Sequence, residues 1–171
     1  MTNELVPATI VRRLYDKSTW GYGAWQKEPD HILWLDWETQ MPCMIIRNES
    51  LGHLCGYVGV LEGSPLWKVH YNEVYADVHG GLTWSDFYSE NIVGVAHDKI
   101  WWFGFDCAHL NDYEPAMAAR YGANFATGSY DQYKSVKYVQ YECTKLALRI
   151  REIESQGFIE KGDSDGENDS D

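Results

Sequence analysis

Val136, Val139, Cys143, Leu146, Ile150 and Ile153 are spaced three, four, three, four and three residues apart. This spacing keeps all six apolar side chains on one side of a helix. It predicts a helix over residues 131–155, about seven turns at 3.6 residues each. Ser129 or Asp131 offers an N-cap, Arg149 and Arg151 suit the last turns, and Gly157 stands where a C-terminal cap belongs. The stripe can cover a sheet face or, by its a/d-like spacing, seam a homodimer. A shorter helix is predicted over Glu114–Tyr121, with Pro115 in its first turn.

Upstream the pattern changes to short apolar runs. Ile100–Phe105 is the most apolar of them and reads as a strand buried on both faces. His31–Glu38 alternates around Trp34 and Trp37, and Pro42–Arg47 reads as a short apolar strand. His53–Val60 returns after the turn-forming stretch Asn48–Gly52, with Gly56 and Gly59 marking a bulge or a close backbone approach. Ile92–Ala96 and Lys99–Phe105 flank His97-Asp98, which predicts a tight hairpin. Leu5–Asp16 suits a first strand or short helix, and Ser18–Trp25 is a loop of glycines and aromatics, packed by its own rings or walling a ligand. Short strands followed by one long amphipathic helix predict an α+β fold: a mainly antiparallel or mixed central sheet with the C-terminal helix packed on one face.

A chain of 171 residues without internal repeats fits one globular domain, taken as 1–159, followed by an acidic tail, 160–171, expected to be disordered. The net charge is −12, and the tail holds six acidic residues and one lysine, so the body still carries −7. An acidic body argues against direct nucleic-acid binding or docking to an anionic membrane through a basic patch. No apolar run approaches the roughly 18 residues of a membrane span, and the N-terminus lacks the pattern of a signal peptide. The expectation is a cytoplasmic protein whose cysteines, Cys43, Cys55, Cys107 and Cys143, are reduced thiols.

Candidate chemistry concentrates between Asp77 and Asp112, and three arrangements compete there. The first is a metal site from Asp77, His79, Asp106 and His109: Asp77 and His79 share a face of an extended strand, and Asp106, His109 and Asp112 recur every three residues, as on a helical turn. Their spacing matches no established metal motif, so no cofactor is expected. The second is a thiol nucleophile, with Cys107 attacking, His79 as base and Asp77 or Asp106 orienting it. The third, and preferred, is a non-catalytic pocket for a small anionic or nucleotide-like ligand. Gly80 and Gly81 would offer backbone N–H groups, His79, Thr83 and His109 polar contacts, and Trp84 with Trp101 or Trp102 a stacking surface.

The segments Met41-Pro42-Cys43, Cys55–Val60, His79–Thr83 and Trp101–His109, with weaker matches at Tyr138–Cys143, resemble a group of small uncharacterised proteins of tailed phages and prophages. The resemblance covers Met41 to about Leu148. It implies an accessory protein acting in a bacterial host cell, with inhibition of a host-defence protein as one role, through nucleotide sequestration or acidic mimicry of DNA. Asp106-Cys107-Ala108-His109 also resembles, in residue order, the cysteine segment of permuted papain-like hydrolases. That resemblance would make Cys107 and His79 catalytic.

Overall fold

The computed structural model describes residues 10–88, 97–122 and 132–157. Within these residues the strands are β1 (Ile10–Arg12), β2 (His31–Leu35), β3 (Pro42–Arg47), β4 (Leu54–Leu61), β5 (Trp84–Phe87) and β6 (Ile100–Asp106). They form one sheet in the order β1-β2-β3-β4-β6-β5, with every neighbouring pair antiparallel. Helices α1 (Pro115–Tyr121) and α2 (Val136–Gln156) follow. The fold is α+β, and α2 lies across β3 and β4.

The apolar stripe of α2 explains this packing. Val139, Cys143, Leu146 and Ile150 are fully buried against Ile45, Val58, Phe103 and Phe105 of the sheet. The stripe is therefore spent inside the chain and is not an exposed seam for a second copy. Gly56 permits close approach: a Cβ there would lie 2.4 Å from Phe105 and 2.9 Å from Cys143 Sγ. The β4–β6 register runs unbroken from Cys55 to Leu61, so Gly56 and Gly59 mark close packing, not a bulge. Replacing Leu146 by aspartate would place an unpaired charge in this core. It is expected to cost about 3 kcal/mol or more in urea unfolding, and an unchanged midpoint would contradict the packing.

The other sheet face buries Leu33, Met44, Ile100 and Trp102 beside Tyr57 and Trp84. Strand β6 is thus apolar on both sides, as its continuous pattern implies. Trp20 and Trp25 form a third cluster with Ala116, Tyr113 and Tyr133, so the glycine–aromatic loop packs against the body through its rings.

Several boundaries differ from the sequence expectation. Helix α2 begins five residues later than 131, at Val136, because Ser135 Oγ accepts the Tyr138 N–H and caps it. Ser129 and Asp131 lie outside the described residues, as do Ile92–Ala96 and the acidic tail. Residues 97–99 form a 3-10 turn, not a two-residue hairpin loop, and within the described chain β6 pairs with β4 and with the unanticipated strand β5. Gly157, with φ +75, does end α2, and Pro115 does open α1. No helix among the described residues is long and apolar enough to cross a membrane.

Candidate functional site

Two loops meet above the first half of α2. One is the turn Val78–Gly81, closed by the Gly81 N–H donating to Val78 O at 2.8 Å. Its third residue, Gly80, has φ +68, a left-handed value that glycine adopts without steric cost. The other follows β6. Cys107 N–H extends the ladder to Leu54 O, and the chain then turns through Asn111, φ +75, so that Asp112 N–H reaches His109 O. In return the His109 N–H donates to Asp112 Oδ2 at 3.0 Å.

These turns bring His79, His109 and Asp112 together, each with a ligand atom within 4.8 Å of those of the other two. His79 Nε2 lies 2.7 Å and His109 Nδ1 3.4 Å from Asp112 Oδ2. The imidazoles stand edge to face with centroids 5.3 Å apart. Asp112 is the deepest of the three, with its side chain 5% exposed against 15% for His79 and 34% for His109, so the cluster opens outward past His109. Burial alone would raise the Asp112 carboxyl, but hydrogen bonds from His79 and from His109 hold it below its ordinary value.

A second layer orients these groups. His79 Nδ1 lies 2.9 Å from the Tyr138 hydroxyl, and the His79 backbone N–H donates to Glu142 Oε2. Tyr138 and Glu142 are four residues apart on α2, so they share the helix side that faces the loop. Burial, with Glu142, Cys107 and Asp112 nearby, pushes the Tyr138 phenol up to about 12 and keeps it neutral. Lys145 pairs with Glu142 from the next turn. Beyond Asp112 lie His53 and Glu114, both buried, with His53 Nδ1 and Glu114 Oε2 3.8 Å apart. Burial lowers the His53 imidazole, while burial with Asp112 and Asp106 raises the Glu114 carboxyl.

The residues singled out in the sequence fall unevenly around this cluster. Asp106 is adjacent, 3.8 Å from His109 Nδ1, but its carboxylate is held by Thr83 Oγ1 and the Ala108 N–H. Asp77 is exposed and lines a surface groove with Lys145 and Arg149, because the chain turns over 78–81 right after it and does not continue as the extended strand that would align it with His79. Asp112 joins through a loop turn and not through a helix.

Cys107 is 1% exposed in the main core, and burial, then Asp112 and Cys55, push its thiol up. The ring nitrogens of His79 engage Tyr138 and Asp112, so no thiol–imidazole pair assembles.

The anion cradle is also different from its expectation. Of the two expected backbone donors, the Gly81 N–H is bonded within the protein to Val78 O, and the neighbouring His79 and Thr83 N–H groups are bonded to Glu142 and Gly104. Trp84 faces Tyr57 on one side of the sheet, whereas Trp101 lies on the other, donating its indole N–H to Val69 O. They cannot form one stacking wall, and Trp102 is core.

Gly80 has a role the sequence did not suggest. A Cβ there would fall 2.1–2.2 Å from His109 Cε1 and Nε2, whereas one on Gly81 would meet open space. Gly80→Ala is expected to displace His109 and to weaken the triad's affinity for any added divalent metal by about 10–100-fold, the scale of losing a supporting contact. Gly81→Ala, where only the left-handed φ is strained, should leave affinity close to wild type. Equal affinities for all three proteins would contradict this packing role.

No protein-family model, curated protein or solved structure matches the chain.

Proposed function

We propose that this chain is a metalloprotein that holds one divalent first-row transition metal, zinc as first choice, on His79, His109 and Asp112, and presents a metal-bound water to a substrate. The observation that carries this is the convergence of three ligand atoms within 4.8 Å from loops separated by about thirty residues of sequence. Two imidazoles and one carboxylate suit zinc, iron(II) or manganese. Three protein ligands with an open fourth position form the arrangement of catalytic zinc, which lowers the pKa of its bound water to about 7.

For His79 Nε2 to bind a cation, Nδ1 must carry the proton and donate it to the Tyr138 oxygen. The 2.9 Å contact is compatible with that tautomer, and a bound cation would take the place of the proton that His79 Nε2 otherwise donates to Asp112. Glu142 fixes the backbone of the same residue. The anionic, nucleotide-like ligand expected from the sequence would then meet the cation through a phosphate oxygen, and hydrolysis is the reaction class. Cobalt(II) tests the coordination: added to metal-stripped protein, it should give the visible bands of a low-symmetry protein site. His79→Ala and His109→Ala should lose those bands. The spectrum of the free aqua ion in wild type would overturn the proposal.

A further inference from the structure

Three buried polar atoms at this corner have no hydrogen-bond partner: His109 Nδ1, His53 Nδ1 and Glu114 Oε2. Native interiors leave few such atoms, and each calls for an explanation, an ion or an ordered water among them. The first is accounted for by the triad cation. The other two belong to residues that are 5% and 7% exposed, too deep for bulk water to satisfy them.

The fold holds these two side chains toward each other. The turn before β4 is pinned to the start of α1 by Ala116 and Met117 N–H groups donating to Leu51 O. Gly52 backs directly onto Pro115 and the Ala116 nitrogen. His53 follows Gly52, and Glu114 is the N-cap residue of α1, yet its carboxylate makes no capping hydrogen bond. Their facing atoms are 3.8 Å apart, beyond hydrogen-bond reach, but two ligands with bonds of about 2.0–2.2 Å can share one cation across such a gap. Both residues are within electrostatic reach of Asp106 and Asp112, and His53 is also within reach of His109, so the pair adjoins the triad.

We infer that His53 and Glu114 form a second divalent-cation site beside the His79–His109–Asp112 centre, taking Zn2+ or Mn2+ with water completing its shell. This site presupposes the triad cation, which it would assist by adding positive charge where Asp106, Asp112 and Glu114 crowd together. With only two protein ligands it binds more weakly than the triad.

Isothermal titration of the metal-stripped full chain with Zn2+ tests it. Wild type is expected to show a tight step and a weaker second step. Glu114→Gln, which keeps the side chain's shape, should lose the second step and keep the first, and His53→Gln should do the same by an independent substitution. Asp112→Ala should lose the tight step. A single tight step in wild type would mean that a buried water, not a cation, bridges His53 and Glu114, and the second site would be wrong while the triad stands. A second step that survives both substitutions would place that cation elsewhere and would equally overturn the inference. A wild type that takes up no Zn2+ in either step would remove the triad centre as well.

Discussion

Asp30→Ala is expected to destabilise the protein by about 3–5 kcal/mol, the cost of breaking a buried ion pair from one side. Asp30 is fully buried, and its Oδ1 accepts from Lys17 Nζ at 2.7 Å and from Arg47 Nε at 2.8 Å. Its Oδ2 takes the N–H groups of Leu14 and Tyr15. Arg47 spends its remaining donors on Gly52 O, Tyr133, Glu28 and Pro29 O. Deleting the carboxylate leaves Lys17 with only the Glu28 carbonyl, leaves Arg47 with Glu28 as its charge partner, and strands two N–H groups in the interior.

At about 2–4 °C per kcal/mol for a chain of this size, the melting temperature should fall on the order of ten degrees. Lys99→Ala breaks only the exposed Lys99–Glu62 pair and should leave the melting temperature nearly unchanged. A loss for Asp30→Ala no larger than that for Lys99→Ala would contradict the network. The pH dependence has a definite sign. Burial would raise the Asp30 carboxyl, but its hydrogen bonds, from Lys17 first, hold it below the ordinary value. The stability it contributes is complete above the unfolded aspartate pKa of about 3.9 and is lost as pH falls through the lower folded value. The same network reaches the candidate site, because Arg47 grips Gly52, the residue before His53.

Asp112→Ala should have the largest effect on metal binding. One oxygen, Oδ2, meets His79 Nε2, the His109 N–H and His109 Nδ1, so the substitution removes a ligand and the anchor of the 109–112 turn together. Zinc affinity should fall by more than the roughly 10–100-fold that losing a second-layer partner costs, and Tyr138→Phe should stay within that smaller range. Competition with a chromophoric chelator measures both. Wild-type affinity in Asp112→Ala would exclude the carboxylate as a ligand.

The α2 stripe was legible because three-four spacing has one physical solution, a helix buried along one side, and Gly157 marks its end. Its start was not, since Ser129, Asp131 and Ser135 are all competent caps and only tertiary packing selects Ser135. Strand β5 was missed because Trp84-Ser85-Asp86-Phe87 is short and half polar, as an edge position permits. The Asp77–Asp112 stretch was recognisable as a candidate site from its density of Asp and His. Its partition was not: whether Asp77 or Asp112 faces His79 depends on a left-handed glycine turn that local sequence does not fix. Tyr138 and Glu142 carried a faint signal, two polar residues four apart beside an apolar stripe. His53 and Glu114 carried none, because their meeting depends on how one turn seats on α1.

The most direct measurement of the central claim is the zinc retained after metal-stripped protein is incubated with zinc and passed through gel filtration in metal-free buffer. Wild type should elute with one tightly held equivalent, and His79→Ala, His109→Ala and Asp112→Ala, each folded by circular dichroism, with none. Wild type eluting free of zinc, or the three variants retaining it as wild type does, would contradict a metal centre at His79, His109 and Asp112.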